Sequence, residues 1–343
     1  MSKEVYIVDG IRTPIGNFCG TLSSIRTDDL AAHAIKALID RHPNLDLESI
    51  EDLIFGCANQ AGEDNRNVAR MAGLLAGLPV SVGGETVNRL CASGMASTIN
   101  AARAIKDNAG DIYISGGVEH MTRGPWVMSK ASKPFGRDSK LFDSSFGWRF
   151  INPKLDALYG TEGMGSTAEN LVEKYNLSRE SQDQFALWSQ QKVFKSQEAG
   201  FFDDEICSVE IPQRKKDPIV FSKDEFNRPN TTIESLAKLK PAFKKDGSVT
   251  AGNSSGLNDG AAALLIASES GMKSQNLQPL VRIVSAAVAG VPPSIMGIGP
   301  VLASEKALKR AGLSLNDMDI LELNEAFSAQ VLACTKKMGI EEN

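Results

Sequence analysis

The sequence predicts an α/β fold built on a mainly parallel sheet. Three observations point there. Short apolar runs closed by glycine recur in the first third of the chain. Amphipathic helical periods stand between them. One helix–turn–strand pattern returns near the other end, at a constant offset of 268 residues. Strands that alternate with helices are the mark of crossover units, in which a helix carries the chain back to start a parallel neighbour.

Each element follows from its pattern. "VYIVDG" (5–10) reads as a buried strand closed by glycine. "TDDLAAHAIKALIDRH" (27–42) places Leu30, Ala34, Ala37 and Leu38 on one helical face, with Thr27 as its N-cap. "DLIFGCA" (52–58) is the second strand. After Cys91, the residues Met95, Ile99, Ala102 and Ile105 recur at steps of four and three, with Arg103, Lys106 and Asp107 on the other side. "DIYISGG" (111–117) is the third strand, and its glycine pair permits a tight turn or a close crossing. Residues 119–250 are richer in charge and irregular in apolar spacing, with a helix at 179–198, and read as an inserted lobe. Strand and helix rhythm resumes at "GAAALLIASE" (260–269) and "LVRIVSAAVAG" (280–290). The repeat aligns "LDLESIEDLIF" (45–55) with "LSLNDMDILEL" (313–323), each after an amphipathic helix.

Composition narrows the class. Of 343 residues, 42% are hydrophobic and 23% charged, ordinary for a globular chain. The net charge of −5 argues against a general nucleic-acid binder. Cysteines 19, 57, 91, 207 and 334 are odd in number, with no C-x-x-C pair, which argues against a disulfide framework and a structural zinc site. "MSKEVYIVDG" lacks the apolar run of a secretory signal, and no uncharged run approaches the ~18 residues of a membrane span. A cytoplasmic, reducing setting, with no metal and no membrane partner, is expected.

Three blocks carry the chemistry. In "VNRLCASGM" (87–95), Cys91 stands where the helical period begins. A helix N-terminus stabilises a thiolate, and small residues at 92–94 let a substrate reach backbone N–H groups that can hold an oxyanion. The alternative is a buried, packing cysteine. "TAGNSSGLNDGAAAL" (250–264) offers amide and hydroxyl donors, with Gly252 and Gly256 allowing close approach, or is a surface turn. "LELNEAFSAQ" (321–330) sets Asn324 and Glu325 where an apolar strand stops and a helix starts, a place for ligands or for capping by Asn324. His33, His42 and His120 each suit a structural role better than that of a base for Cys91. Nine basic residues within 212–245 suit an anionic small ligand or a solvated loop.

Together and in this order, these blocks resemble those of the thiolases, from "VDGIRTPIG" (8–16) to about residue 340. "NRLCASGM" resembles the nucleophile block, "GNSSGLNDGAA" the glycine–asparagine loop, and "NEAFSAQ" the NEAF block. "GCANQAGEDNRNVARMAGLLAGLP" (56–79) and "FDSSFGWRFINP" (142–153) resemble the 3-oxoadipyl-CoA subgroup. The resemblance implies a thiolase fold: two similar α/β halves in a five-layered core with an inserted loop domain. The corresponding division is 1–118, 119–250, 251–270 returning to the first half, and 271–343, with the second half incomplete at its C-terminus. It also implies an acyltransferase that uses CoA as cosubstrate, holds no permanent cofactor, and forms a homo-oligomer, dimer or tetramer. Cys91 would be the nucleophile and its N–H one oxyanion donor. Asn324 would hold a water in a second oxyanion hole. Arg228, Phe243, Ser255, Met164 and Phe327 would bind CoA.

Two departures bear on activity. Gly163-Met164 stands where acetoacetyl-type thiolases carry His-Met, which argues against a strict acetoacetyl-CoA enzyme. Arg149 and Arg66 are candidates for the far carboxylate of a dicarboxylic acyl chain. The family's GHPxGxSG and CxGGG blocks are absent before the chain ends at "MGIEEN", and Cys334 is in no CxGGG context. The expectation is a catalytically crippled chain. An acetyl-CoA acetyltransferase or general 3-ketoacyl-CoA thiolase, a ketoacyl synthase, and a non-catalytic CoA-binding protein are the alternatives.

Overall fold

The structure, a computed structural model, describes residues 3–340. In chain order it gives β1 (Val5–Arg12), β2 (Gly16–Asn17), α1 (Thr27–Asp40), β3 (Asp52–Gly56), α2 (Val68–Leu75) and β4 (Glu85–Val87). There follow α3 (Ser93–Lys106), β5 (Ile112–His120), β6 (Trp126–Met128) and β7 (Leu141–Asp143). Next come α4 (Pro153–Tyr159), α5 (Met164–Tyr175), α6 (Arg179–Glu198), β8 (Val209–Gln213), β9 (Lys216–Phe221) and α7 (Ile233–Ala237). The last are β10 (Asn258–Ser268), α8 (Glu269–Gln275), β11 (Val281–Arg282), α9 (Gly299–Ala311) and α10 (Ser328–Met338).

Two compact units emerge. The first takes the chain up to Phe146, then Phe202–Phe226 and Leu257–Val284; the second takes Gly147–Phe201, Asn227–Gly256 and the chain from Ser285 on. These units do not follow the boundaries drawn at 118, 250 and 270. β5 runs through residues 119 and 120, and the β8–β9 hairpin contributes Val209, Ile211 and Phe221 to the first unit's core.

The first unit is a sheet in the order β11-β1-β10-β5-β3-β4, with β2 beside β10. Period-2 alternation sends successive residues to opposite faces. Ile112 and Ile114 of β5 join Leu30, Ile35 and Leu38 of α1 on one face. Tyr113 between them joins Ala101, Ala102 and Ile105 of α3 on the other. The expected mainly parallel sheet is corrected to a mixed one. β3 runs parallel to β4 and β5, but β10 is antiparallel to β1, β2 and β5, and β11 to β1. Strand β10 enters between β1 and β5 only after the chain returns from the long 121–257 excursion. No crossover helix fixes its direction, and pairing on both sides does.

Two details of the helices also differ from expectation. Thr27 is the first residue of α1 rather than its cap, because its N–H donates to Glu63 Oε2 at 3.1 Å and Arg26 takes the cap position. Met95 points to solvent, 70% exposed, although it shares the apolar spacing of α3.

The second unit is helical, with no β-strand among its described residues. Leu171 of α5, Ile298, Val301 of α9, and Ala333 and Cys334 of α10 form one cluster. Ala168, Val249 and Ala329 form another. The strands expected at 280–290 and 321–323 are not formed, apart from Val281–Arg282 in the first unit. Val284, Val288, Ile320 and Leu321 are exposed instead. A strand exists only with a ladder partner, and beyond Ile283, whose N–H donates to Val5 O of β1, these segments have none among the described residues.

Candidate active site

Cys91 occupies the start of α3. Ala92 is the helix N-cap and Ser93 the first helical residue, so Cys91 lies one position before the cap. It is exposed. Two contacts set the helix there. Gly56, closing β3, has no Cβ, and one would fall 2.6 Å from Gly94 N and 2.7 Å from Ser93 Cβ. Only glycine lets the strand end lie against the helix start. Below it, the buried Ser97 hydroxyl lies 2.8 Å from Gly116 O and accepts the Gly116 N–H at 3.1 Å, tying α3 to β5. The glycine pair 116–117 thus serves a close crossing, with the position of a Gly117 Cβ 2.8 Å from Gly56 O.

The turn before Cys91 is strained and held. Leu90 has φ +51°, a left-handed conformation that costs a side-chain-bearing residue about 1 kcal/mol or more. Its N–H donates to Asn88 Oδ1 at 2.9 Å, and its carbonyl accepts from Ser93 N and Ser93 Oγ at 2.9 and 2.6 Å. Ser93 Oγ in turn accepts the Arg89 N–H at 2.8 Å. The Cys91 N–H makes no hydrogen bond among the described residues, which leaves a donor beside the thiol. Sequence reasoning missed Asn88 and Ser93 as parts of this arrangement; its only trace was small and polar residues flanking the cysteine.

The other thiols contrast with Cys91. Burial first, then Glu119 and Asp64, pushes the Cys57 thiol far above its ordinary range. Burial pushes Cys207 up to about 11 and raises Cys334. Cys57, Asp64 and Glu119 bring ligand-type atoms within 4.8 Å of one another. Their carboxylates are already fixed by amides, Asp64 by Gln60 and Gly62, and Glu119 by Ala58 and Asn59. The trio clamps the loop after β3.

Each histidine is engaged elsewhere in the first unit. His33 Nε2 lies 2.8 Å from Ser208 O and His42 Nε2 2.9 Å from Asp9 Oδ2. His120 is buried, with Nδ1 3.2 Å from Asp259 Oδ1 and Nε2 3.1 Å from Leu22 O. A hollow of about 660 Å³ on this unit is lined by Glu51, Asp52, Glu85, Arg103 and Tyr113, away from Cys91.

Four of the five residues expected to bind CoA gather in the second unit. The Phe243 and Phe327 rings meet edge-on, 6.0 Å between centroids. Gly165, beside Met164 at the start of α5, has the Phe243 ring where a Cβ would stand. Ser254 bridges to Phe327, and the Ser255 N–H donates to Ala326 O at 2.9 Å. Met164 and Phe243 are 45% and 46% exposed, an apolar surface beside the exposed Ser255. Arg228, also exposed, is anchored elsewhere on the unit, its N–H donating to Gln190 Oε1 at 2.8 Å.

The glycine–asparagine loop is a built turn. Asn253 Oδ1 accepts from Thr250 N at 2.8 Å, while its amide group donates to Asp183 Oδ1 and its carbonyl accepts from Ser328 N. Leu236 and Leu239 stand where a Gly252 Cβ would go. Asn324 is exposed and does not cap α10, which begins at Ser328 after Phe327. The neighbouring Glu325 is held by Ser189 and lies 3.7 Å from Lys192. The nine basic residues of 212–245 are all exposed and fall in both units rather than in one segment.

The chain matches the family described as thiolase, N-terminal domain, over residues 5–270, and thiolase, C-terminal domain, over 277–343. It is 54% identical to the 3-oxoadipyl-CoA/3-oxo-5,6-dehydrosuberyl-CoA thiolase of Escherichia coli over 99% of this chain and 85% of that protein. With the beta-ketoadipyl-CoA thiolase of Acinetobacter baylyi the identity is 52% over the same shares. Among solved structures, the acetyl-CoA acetyltransferase of Bacillus anthracis superposes with a TM-score of 0.91 at 41% identity, over 99% of this chain and 84% of that one. The human mitochondrial 3-ketoacyl-CoA thiolase in complex with CoA superposes at 0.89 and 40%, over 99% and 83%.

Proposed function

The chain belongs to the thiolase family, has the mixed α/β thiolase fold, and is related to beta-ketoadipyl-CoA thiolases; from that premise we propose that Cys91 accepts an acyl group from a 3-oxoacyl-CoA, with 3-oxoadipyl-CoA as the substrate. The observation that carries this is an exposed thiol one residue before the α3 cap, beside an unengaged amide donor.

In the proposed step, Cys91 Sγ attacks the 3-keto carbon. The developing oxyanion is stabilised by the Cys91 N–H, and α3 directs its positive end at the same point. The C2–C3 bond breaks, a thioester forms on Cys91, and the electron pair left on C2 takes up the proton lost by the Cys91 thiol as acetyl-CoA departs. The thiol of a second CoA then takes the acyl group, released as succinyl-CoA from a six-carbon dicarboxylic substrate. A covalent intermediate divides one difficult step into two. Asn324 is assigned to an oxyanion-stabilising water, and Met164, Phe243, Ser255 and Phe327 to the pantetheine and adenine portions of CoA, with Arg228 at its phosphates. Arg66 and Arg149 are assigned to the far carboxylate. A cytoplasmic homo-oligomer with CoA as cosubstrate completes the reading. A 3₁₀ turn repeated at an offset of 268, each copy after a helix, supports two similar halves.

The test is acylation rather than turnover. After incubation with 3-oxoadipyl-CoA or acetoacetyl-CoA, mass spectrometry should find an acyl group on the Cys91 peptide, most from the dicarboxylic substrate, and none in Cys91→Ser. A protein that binds CoA by calorimetry yet never acquires an acyl group would be a CoA-binding member of the family instead.

A further inference from the structure

We infer that Asn88 and Ser93 are positioning residues for Cys91: together they latch the left-handed turn at Leu90 and so fix where the thiol points. The inference rests on the reading of Cys91 as the acyl acceptor and adds the groups that hold it in place.

The geometry is two-sided. On one side Asn88 Oδ1 accepts the Leu90 N–H at 2.9 Å, while Asn88 Nδ2 donates to Ala58 O at 3.0 Å, beyond the end of β3. The turn is thereby tied to a neighbouring strand end rather than to itself. On the other side the Ser93 hydroxyl donates to Leu90 O at 2.6 Å and accepts the Arg89 N–H at 2.8 Å. Ser93 is 5% exposed and its Cβ packs on Gly56, so the hydroxyl has little room to turn away. Leu90 is 66% exposed, and its side chain does little to hold the turn. A leucine at φ +51° relaxes to negative φ when its hydrogen bonds are lost, and a φ change at residue 90 swings residue 91 directly. Chemistry that depends on a thiol, an adjacent N–H donor and a bound thioester is sensitive to displacements of about 1 Å.

Asn88→Ala and Ser93→Ala should each slow the first-order acylation of Cys91 by about ten- to a hundredfold, with the half-saturating acyl-CoA concentration unchanged. Alkylation of Cys91 by iodoacetamide should change less than acylation, since a small reagent approaches from any direction. Melting temperature and CoA affinity give the controls for folding and for the second unit. If Ser93→Ala does not fold, Asn88→Ala decides, because Asn88 is exposed and its loss threatens the turn rather than the core. Acylation within twofold of the parent in a folded Asn88→Ala protein would overturn the latch. If the parent itself takes no acyl group, the reading of Cys91 fails. The latch is then judged separately by proton exchange at the Leu90 amide, which Asn88→Ala should accelerate; unchanged exchange would overturn it.

Discussion

The Phe243 ring stands edge-on to the Phe327 ring, with 6.0 Å between their centroids and 84° between their planes. One ring comes from the segment after α7, the other from the residue that opens α10. Phe243 is 46% exposed, while Phe327 is partly buried against Ala168, Val249 and Ala329. The edge-on geometry is one that aromatic pairs favour, and under the proposed function it walls the apolar portion of CoA.

Removal of that wall should weaken CoA binding without unfolding the unit. Phe243→Ala is expected to raise the CoA dissociation constant about tenfold, from the lost ring contact. Isothermal titration calorimetry measures it directly. An unchanged dissociation constant would remove Phe243 from the CoA site.

Gly165→Ala probes the same place from the other side. The added methyl would enter the Phe243 ring, which is exposed and can move aside. The melting temperature should fall by at most about 2 °C, while CoA affinity drops on the order of fivefold as the ring is displaced. A large loss of stability with unchanged affinity would show that the glycine serves packing alone.

Thiol reactivity should separate the cysteines. Cys91 and Cys19 are exposed, whereas Cys57 and Cys334 are buried and Cys207 is partly covered. Burial holds the last three thiols protonated, and the thiolate is the reactive form. Titration with a chromogenic disulfide at pH 7.5 should release two fast equivalents, at Cys91 and Cys19, and the rest only in denaturant. Peptide mapping that finds Cys57 labelled in the native protein would contradict the packing of the loop after β3.

Asp52 carries a pH signature. Burial, with Glu85 and Glu51 nearby, raises its carboxyl above the ordinary range, although the Leu53 N–H pulls the other way. A raised folded value means that the stabilising contribution is present below the unfolded pKa of about 3.9 and is lost as pH rises through the folded value. At neutral pH the ionised group therefore opposes folding. Asp52→Asn should raise the melting temperature at pH 7.5 by up to about 2 °C, solvent screening keeping the effect small. The gain should vanish at the acid end of the range. A variant less stable than the parent at pH 7.5 would show that the Leu53 hydrogen bond dominates.

Much of the site was legible because it is local. Cys91 sits at a helix start because the apolar period begins there and small residues surround it, and both facts lie within nine residues. The repeat was legible for the same reason. Leu47–Ser49 and Leu315–Asp317 are both 3₁₀ turns, offset by 268, and each follows a helix. The latch was not legible, because it depends on Leu90 adopting a left-handed turn that no residue type there demands. For Asn324, tertiary pairing removed the capping alternative. Asparagine before an apolar run fits a cap, but Phe327 and Ser328 take the helix start once Ser254 and Asn253 pair with them.

The sequence by itself determined the helices at 27–42, after Cys91 and at 179–198, the strands at 5–10, 52–58 and 111–117, and the family, through period, glycine placement and ordered blocks. Tertiary structure decided what pairs with what. It set β10 antiparallel between β1 and β5, seated Gly56 on the start of α3, and brought Phe243 to Phe327. It also decided that Leu53, Ile54 and Phe55 are buried in β3, whereas the repeat leaves Ile320 and Leu321 exposed. The physical reason is that side-chain period is a property of a segment. A β ladder, a ring contact or a glycine crossing exists only when a second segment arrives to complete it.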